Sequence, residues 1–211
     1  MRYKNFLIRQ ARALFFDVDG TLTDKTGKIP NENIMAVKEL ARHSLIFLAT
    51  SLPYDYAKRT CADIWDCISG GAFAEGSDIR IFNRGFKKIV HLNENAVKIL
   101  SADAEYSCYR EGGILHKIAV ISGDVHDCPD FNIVHDEIIG IISKNADKLS
   151  GILCICEELK LLYDNVIVVG NSKNDVPMLK FFSYSVAVPE SDISAKSAAR
   201  AICGVGEIKF L

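Results

Sequence analysis

The sequence has no long hydrophobic run and no excess of charge of one sign. No apolar run reaches the roughly 18–20 residues that cross a bilayer, so no membrane partner is expected. Lys and Arg together number 25 and Asp and Glu number 27, which gives a net charge of −2 over 211 residues. Because a nucleic-acid-binding domain usually carries a clear basic excess, no nucleic acid is expected as a partner either.

The 7 cysteines form no CxxC pair, a spacing common in zinc and redox sites. Their odd number also argues against a framework of disulfide bonds. We expect reduced and mostly buried thiols, which fit a cytoplasmic protein. The first residues show no apolar region of the kind found in signal peptides, and this agrees with the same location.

Short apolar runs that end in polar residues indicate a parallel sheet. They cover residues 13–16, 45–49 and 165–169, and helical spacing follows the first two at residues 31–42 and after Pro53. Apolar strands that alternate with helices are typical of a parallel sheet covered on both faces. The sequence therefore predicts an α/β fold with a Rossmann-like parallel sheet core.

The middle of the chain has a different pattern. Segments 78–82 and 86–92 alternate in character around a turn signal at Asn83–Gly85, and more short strand candidates follow. We interpret residues 76–138 as a small inserted α+β domain. The core would then consist of residues 1–75 and 139–211, in which a helix is predicted over Asn145–Leu162.

Polar clusters follow the predicted strands at the edge where ligands bind in open α/β sheets. They are Asp17–Thr21, Thr50–Ser51 and Gly170–Asp175, and Lys144 precedes a predicted helix. Two carboxylates two residues apart suit a hard cation with oxygen ligands, such as Mg²⁺. A hydroxyl and a lysine suit phosphoryl oxygens, and Gly20 lets the backbone approach an anion closely.

With these clusters in this order, the sequence resembles the haloacid dehalogenase-like phosphohydrolases. Phe16–Leu22 matches their DxDGT motif, and Thr50 matches the hydroxyl of their second motif. Lys144 matches the lysine of the third motif, and Gly170–Leu179 is similar to the fourth, GDxxND(x)PML. The insertion lies between the second and third motifs, as in the type II cap subfamily. Details such as Ala72–Glu75 look most like its Cof-type group of sugar-phosphate and small organophosphate phosphatases.

The resemblance implies a two-step phosphoryl transfer. Asp17 would attack phosphorus and form an aspartyl-phosphate. Asp19 would protonate the leaving oxygen and then take a proton from the hydrolytic water. The other implied residues bind the phosphate or Mg²⁺: Gly20, Thr50, Ser51, Lys144 and Asn174 for the phosphate, and Asp17, Asp19, Asn171 and Asp175 for the metal.

Two positions depart from the family pattern. Asn171 stands where the fourth motif normally has an Asp that binds the metal, and an amide offers an oxygen but no charge. Asp175 could compensate, directly or through water. The second motif reads Thr50–Leu52, without the usual Gly and Arg. These departures leave open a weakened site that only binds a phosphorylated ligand.

The expected function is Mg²⁺-dependent hydrolysis of a small phosphorylated metabolite, such as a sugar phosphate or phosphoglycolate, by a monomer or homodimer. A phosphomutase is the alternative enzyme, since an aspartyl-phosphate can also transfer its phosphoryl group to a sugar hydroxyl. Four basic residues flank the first predicted hairpin of the insertion. They would either clamp a second anionic group of the substrate or simply face solvent; they are Arg80, Arg84, Lys87 and Lys88.

Overall fold

The computed structural model of the protein describes residues 11–135 and 138–210. Residues 1–10 and 211 of the predicted core, and residues 136 and 137 of the predicted insertion, lie outside this part. The described strands are β1 (Ala13–Phe16), β2 (Leu45–Ala49), β3 (Ile68–Phe73), β4 (Asp78–Ile81), β5 (Phe86–Ile89), β6 (Glu105–Glu111), β7 (Ile114–Ser122), β8 (Phe131–Val134), β9 (Ile139–Ser143), β10 (Val166–Gly170), β11 (Tyr184–Ala187) and β12 (Ala201–Ile202).

Helices connect most strands of the first and last thirds of the chain. Pro30 and Pro53 directly precede two of them, in agreement with the preference of proline for helix starts. None of the helices in the described residues is long and apolar enough to cross a membrane. The α-helices are α1 (Asn31–Leu40), α2 (Tyr54–Thr60), α3 (Lys148–Leu159), α4 (Val176–Phe181) and α5 (Ile193–Ala198).

An eight-stranded sheet forms the centre of the fold, in the order β12-β11-β10-β1-β2-β3-β4-β5. The first six of these strands pair in parallel, and β4 and β5 add an antiparallel extension next to β3. This confirms the predicted α/β class with a mostly parallel sheet. The register aligns Phe16 of β1 with Leu48 of β2 and with Val169 of β10, so these strands end at one edge.

Alternate residues of the central strands point to opposite faces of the sheet, and both faces are buried. Phe16 and Leu48 pack on the face that holds α1, together with Val37. Phe15 and Phe47 stack on the other face, with ring centroids 4.9 Å apart, in the core that also includes α3 and α4. The continuous apolar character of β1 and β2 follows from this double burial.

A separate antiparallel sheet, β6-β7-β9-β8, has its own small apolar core. It differs from the predicted insertion at both ends. The hairpin β4–β5, expected in the insertion, belongs to the large sheet, because Ile79 and Ile81 are buried with α3 in the main core. Strand β9, expected in the core, pairs with β7 and β8. We therefore propose that the inserted unit lies between Ile89 and Lys148.

Candidate active site

Two aspartates from distant parts of the chain share one buried lysine. Asp17 directly follows β1, and Asp175 lies in the segment after β10. The Nζ atom of Lys148, the first residue of α3, lies 2.7 Å from Oδ1 of Asp17 and 2.7 Å from Oδ1 of Asp175. All three side chains are almost completely buried. The parallel register of β1 and β10 brings the two carboxylates to the same edge of the sheet.

The lysine that contacts Asp17 is Lys148, whereas Lys144, which the sequence predicted for the third motif, lies four residues earlier. Strand β9 continues to Ser143, and Lys144 follows in an exposed turn. The helix begins only at Lys148, because the Asp147 side chain accepts a hydrogen bond from the N–H of Ser150 at 2.6 Å and caps it. The predicted helix over Asn145–Leu162 is correspondingly shorter at both ends.

Burial makes the charges of this cluster act strongly on one another. It is the largest effect on Asp17 and raises the pKa of its carboxyl; Asp175 adds to this rise and Lys148 opposes it. Burial also disfavours the charged form of Lys148. The surrounding carboxylates of Asp17, Asp175 and Glu75 outweigh that effect and raise the pKa of Lys148 well above its ordinary value. The lysine therefore stays protonated and stabilises the ionised form of Asp17.

Both carboxylate oxygens of Asp175 have protein donors. Oδ1 binds Lys148, and Oδ2 accepts hydrogen bonds from the N–H groups of Asn171 at 2.9 Å and Ser172 at 3.0 Å. Asp175 thus fixes the loop after β10 and orients the lysine. This arrangement favours a positioning role for Asp175 over the metal contact, direct or through water, that the sequence predicted.

Asn171 lies against the loop that follows Asp17. The hydroxyl of Thr21 donates to its Oδ1 at 3.2 Å. Gly20 has a φ of 73°, and a Cβ atom at this glycine would lie only 2.3 Å from Nδ2 of Asn171. The N–H of Gly20 donates to the hydroxyl of Thr23 at 3.1 Å, which shapes the loop. The absence of a side chain at residue 20 is therefore what allows the two loops to meet.

Thr50 and Ser51 follow β2 at the same edge. Thr50 is fully buried, and its Oγ1 accepts a hydrogen bond from the N–H of Leu52 at 3.1 Å. Its carbonyl accepts one from the N–H of Glu75 at 2.9 Å. The carbonyl of Ser51 accepts a hydrogen bond from Nζ of Lys117, on β7 of the small sheet, at 2.6 Å. The small sheet therefore reaches the edge where Asp17 lies.

Glu75 and Lys117 are two charged residues of this region that the sequence prediction did not include. The Glu75 side chain is buried, and its Oε1 accepts a hydrogen bond from Nδ2 of Asn174 at 3.0 Å. Burial raises the pKa of Glu75, while the charges of Lys148 and Lys117 lower it. Neither residue belongs to the polar clusters that the sequence singled out: Glu75 follows β3 by two residues, and Lys117 lies within β7.

The oxygen donors around Asp17 fit a hard cation. They are the Asp17 carboxylate, the amide oxygen of Asn171 and, as the family resemblance implies, the main-chain carbonyl of Asp19, whose side chain is exposed. The buried cluster holds three carboxylates against the two ammonium groups of Lys148 and Lys117, so a cation would offset an excess of negative charge. Within the described residues, no three His, Cys, Asp or Glu side chains group as a metal site by themselves.

The basic residues of the β4–β5 hairpin have structural partners. The Arg80 guanidinium donates two hydrogen bonds to the Asp78 carboxylate in a bidentate arrangement, at 2.8 and 2.7 Å, and a third to Glu111 at 3.1 Å. Lys87 lies 2.5 Å from the same Glu111. Arg84 donates to a main-chain carbonyl of α3. These contacts connect the hairpin to the small sheet and to α3, and they favour a structural role over a substrate clamp.

Known proteins resemble this chain over most of its length. The model of the haloacid dehalogenase-like hydrolases matches residues 14–117 and 87–207. A phosphoglycolate phosphatase of Thermoplasma acidophilum is 26% identical over 185 residues, which are 80% of this chain and 81% of that protein.

Two solved structures show the same fold. A haloacid dehalogenase and Cof-like hydrolase from Plasmodium vivax has a TM-score of 0.75 at 18% identity, over 92% of this chain and 90% of that one. A sugar phosphatase of subclass IIB has a TM-score of 0.77 at 18% identity, over 93% of this chain and 95% of that one. The motifs, the topology and the family match lead to one conclusion: this chain belongs to the haloacid dehalogenase-like hydrolases, in their Cof-type group.

Proposed function

We propose that the protein is a phosphatase that hydrolyses a small phosphate monoester through a phosphorylated Asp17. One observation carries the proposal: Lys148 joins the buried carboxylates of Asp17 and Asp175 at 2.7 Å each, at the edge where Thr50 also lies. An ionised carboxylate held in place beside a hydroxyl and backbone donors is suited to attack a phosphoryl group.

In the first step, a carboxylate oxygen of Asp17 forms a bond to phosphorus, and the bond from phosphorus to the ester oxygen breaks. Asp19, which is exposed two residues further on, donates a proton to the departing alcohol. Lys148 favours the ionised form of Asp17, which is the form that attacks, against the opposing effect of burial. Thr50 would hold a phosphoryl oxygen, and Ser51 would present its N–H group to another.

In the second step, Asp19 takes a proton from a water molecule, and the water oxygen bonds to phosphorus. The bond between phosphorus and Asp17 breaks, which releases inorganic phosphate and restores both aspartates. The solvent exposure of Asp19 suits this role, because the same group has to meet first the leaving alcohol and then water. Asp175 holds Lys148 in place through both steps.

We further propose Mg²⁺ as the cation, held by Asp17, the Asp19 carbonyl and Asn171. When bound, it would neutralise charge on the phosphoryl group and reduce its repulsion from the aspartates. Asn171 supplies one negative charge fewer than the usual Asp, so we expect weak binding that needs millimolar Mg²⁺.

The substrate class that we propose is a small phosphorylated metabolite, either a phosphoglycolate-like acid or a sugar phosphate. The small sheet supports a small substrate, because Lys117 of β7 lies within hydrogen-bond distance of Ser51 and so restricts the space over the site. The names of the similar proteins, phosphoglycolate phosphatase and sugar phosphatase, support the same range.

The first experiment measures phosphate release from p-nitrophenyl phosphate, 2-phosphoglycolate and a panel of sugar phosphates, with Mg²⁺ or with EDTA. Asp17→Asn should abolish release, and the acid-quenched wild type should carry a phosphoryl group on the peptide that contains Asp17. The matched control is Asp164→Asn, which makes the same change at an exposed aspartate just before β10, at the opposite end of that strand from the site. Full activity of Asp17→Asn would overturn the proposal.

Asn171 also supports a second candidate, a protein that binds a phosphorylated ligand but turns it over poorly. The loss of one charge at the loop that contacts Thr21 is the observation behind it. Asn171→Asp distinguishes the two: a large gain in turnover, with Mg²⁺ required at lower concentration, would indicate that the natural site is impaired in metal binding. Robust turnover by the wild type would remove this candidate.

A further inference from the structure

Glu75 is a buried carboxylate close to the site, and it takes no part in the proposed chemical steps. The residue is only 2% exposed, and its Oε1 accepts a hydrogen bond from Nδ2 of Asn174 at 3.0 Å. A glutamate that is buried to this extent is uncommon in proteins. Its φ of 58° is also a left-handed conformation, which favours Gly or Asn over a glutamate. Neither burial nor the local backbone therefore explains a glutamate at residue 75.

Hydrogen bonds hold this carboxylate beside the segment that follows β10. Asn174 directly precedes Asp175, whose Oδ2 accepts a hydrogen bond from the N–H of Asn171 at 2.9 Å. On the other side, the main-chain N–H of Glu75 donates to the carbonyl of Thr50 at 2.9 Å. Glu75 thus lies between the segments that follow β2 and β10, at the edge of the sheet that forms the proposed site.

The proposed ligands of the cation carry little charge of their own. Asp17 supplies one carboxylate, whereas the Asp19 carbonyl and the Asn171 amide supply oxygen atoms without charge. Nζ of Lys148 moreover lies 2.7 Å from Oδ1 of Asp17, and its positive charge repels a cation at the same carboxylate. A divalent cation at this position therefore needs negative charge from beyond its ligands.

The charge of Glu75 meets this need. Glu75 is one of three buried carboxylates, with Asp17 and Asp175, that act on Lys148. Lys117 adds a second ammonium group to the cluster. With Glu75 the carboxylates of the cluster exceed its ammonium groups by one, and without Glu75 the two are equal in number. Burial raises the pKa of Glu75, the charges of Lys148 and Lys117 oppose this rise, and a bound cation would oppose it further.

We propose that Glu75 strengthens Mg²⁺ binding at Asp17 from outside the set of ligands, by offsetting the positive charge of Lys148. The inference rests on the proposed Mg²⁺ site and deepens it, since it assigns part of the affinity to a residue of none of the four motifs. An effect of this kind has a sign, because a negative charge favours a cation and disfavours a phosphate anion. A role of Glu75 that consisted only in holding Asn174 in place would predict weaker binding of both ions when Glu75 is replaced.

The test measures the binding of Mg²⁺ alone and of inorganic phosphate alone, in EDTA, at pH 8 and constant ionic strength. The Kd values come from the dependence of Tm on the concentration of each ion. Glu75→Gln removes the charge, while the glutamine carbonyl can still accept from Asn174. Its Kd for Mg²⁺ should rise at least about tenfold, and its Kd for phosphate should fall about threefold or more. A Kd for Mg²⁺ equal to that of wild type, or a Kd for phosphate that rises, would overturn the inference.

Two further variants separate charge from contact. Glu75→Asp retains the charge but shortens the side chain that contacts Asn174, so its Kd for Mg²⁺ should stay within about threefold of wild type. A Kd as high as that of Glu75→Gln would assign the effect to the contact and overturn the inference. Glu157→Gln makes the matched change at an exposed glutamate of α3, about 13 Å along the helix from Lys148, and should change neither Kd.

Glu75→Asp also decides the question in two other cases. If circular dichroism shows that Glu75→Gln does not fold, or if phosphate binding in EDTA is too weak to measure, the Kd of Glu75→Asp for Mg²⁺ remains as the comparison of charge with contact. A value within about threefold of wild type then supports the inference, and a rise of about tenfold overturns it.

Failure of this inference is distinguishable from failure of the proposed function, because the titrations need no turnover. Mg²⁺ binding by wild type with an equal Kd in Glu75→Gln refutes the role of Glu75 and leaves the phosphatase and its cation intact. Absence of Mg²⁺ binding by wild type refutes the proposed cation and this inference with it. Absence of phosphate release from every ester, with the expected Kd values for Mg²⁺, refutes the phosphatase and leaves the role of Glu75.

Discussion

Removal of Lys148 should cost both stability and activity, and the structure gives the size of each effect. The variant Lys148→Met keeps most of the unbranched apolar stem but leaves the buried carboxylates of Asp17 and Asp175 without their common partner at 2.7 Å. Breaking a buried ion pair on one side costs about 3–5 kcal/mol. At about 2–4 °C per kcal/mol for a chain of this size, Tm should fall by roughly 6–20 °C. Turnover should fall by about 10²–10³ or more, as when a charge-stabilising donor is removed.

The matched control is Lys144→Met, which removes the exposed lysine four residues earlier. Its Tm and its rate of phosphate release should equal those of the wild type within error. Circular dichroism in EDTA gives Tm, and release of p-nitrophenol at a temperature well below both transitions gives the rate. The reasoning would be refuted if Lys144→Met lost activity while Lys148→Met kept it.

The pH dependence of the stability deficit provides an independent check. Burial already raises the pKa of Asp17, and loss of Lys148 should raise it further. A carboxyl with a raised pKa binds more protons in the folded than in the unfolded state, so its contribution to stability falls as pH rises. The deficit of Lys148→Met should thus be larger at pH 8 than at pH 5. An equal loss of stability at pH 5 and pH 8 would contradict the explanation that the loss comes from unpaired buried carboxylates.

Two further substitutions test the loop geometry and the role of the hairpin. Gly20→Ala should lower kcat/KM at least about tenfold, because its Cβ atom would displace the Asn171 amide. The control is Gly27→Ala, at a glycine with a similar φ of 75° and no atom within 4 Å of the added Cβ. Both variants should lose about 1–2 kcal/mol of stability from the left-handed backbone, but Gly27→Ala should keep full activity. Arg80→Met should lower the free energy of unfolding by about 3–5 kcal/mol, measured with urea, because it leaves the buried Asp78 carboxylate without its ion-pair partner, while Glu111 keeps Lys87. Its KM for 2-phosphoglycolate should stay unchanged, and a large rise would instead favour the substrate clamp.

The strands of the core were predictable because their apolar runs are continuous. Residues 13–16 and 45–49 are buried on both faces of the sheet, so they carry no polar alternation that another structure would require. The sequence placed the hairpin β4–β5 in the insertion, whereas its strands pair in the large sheet, and the reason for this difference is local. Its alternating pattern fits an edge of either sheet, and only the burial of Ile79 and Ile81 against α3 decides between them.

The position of the lysine that contacts Asp17 could not be predicted from the motif alone. The letters around Lys144 resemble the expected motif, but the position of a helix start depends on its cap. Asp147 and Ser150 form a capping box around the first turn of α3, and this pattern in the sequence could have placed the helix at Lys148. The apolar spacing of the helix fixes its face but not its first residue.

The segment from Ala74 to Gly76 explains why the remaining site residues could not be predicted from strand ends. Ala74 and Glu75 adopt left-handed backbone angles, with φ of 49° and 58°, at a cost of about 1–3 kcal/mol each for residues with a side chain. At Gly76 a Cβ atom would lie 2.1 Å from the carbonyl of Asp147, so only glycine lets this turn pack against the start of α3.

The same strained turn connects the parts of the site. Its main chain donates to Thr50, and the Glu75 side chain accepts from Asn174, whose neighbour Asp175 holds Lys148. Gly76 meanwhile packs against the residue that caps the helix of Lys148. Backbone strain of this kind persists only where the surrounding contacts outweigh it. Here those contacts fix Thr50, the proposed phosphate ligand, and Lys148 relative to one another. The turn is therefore a positioning element of the site, although it contains no residue of the four motifs.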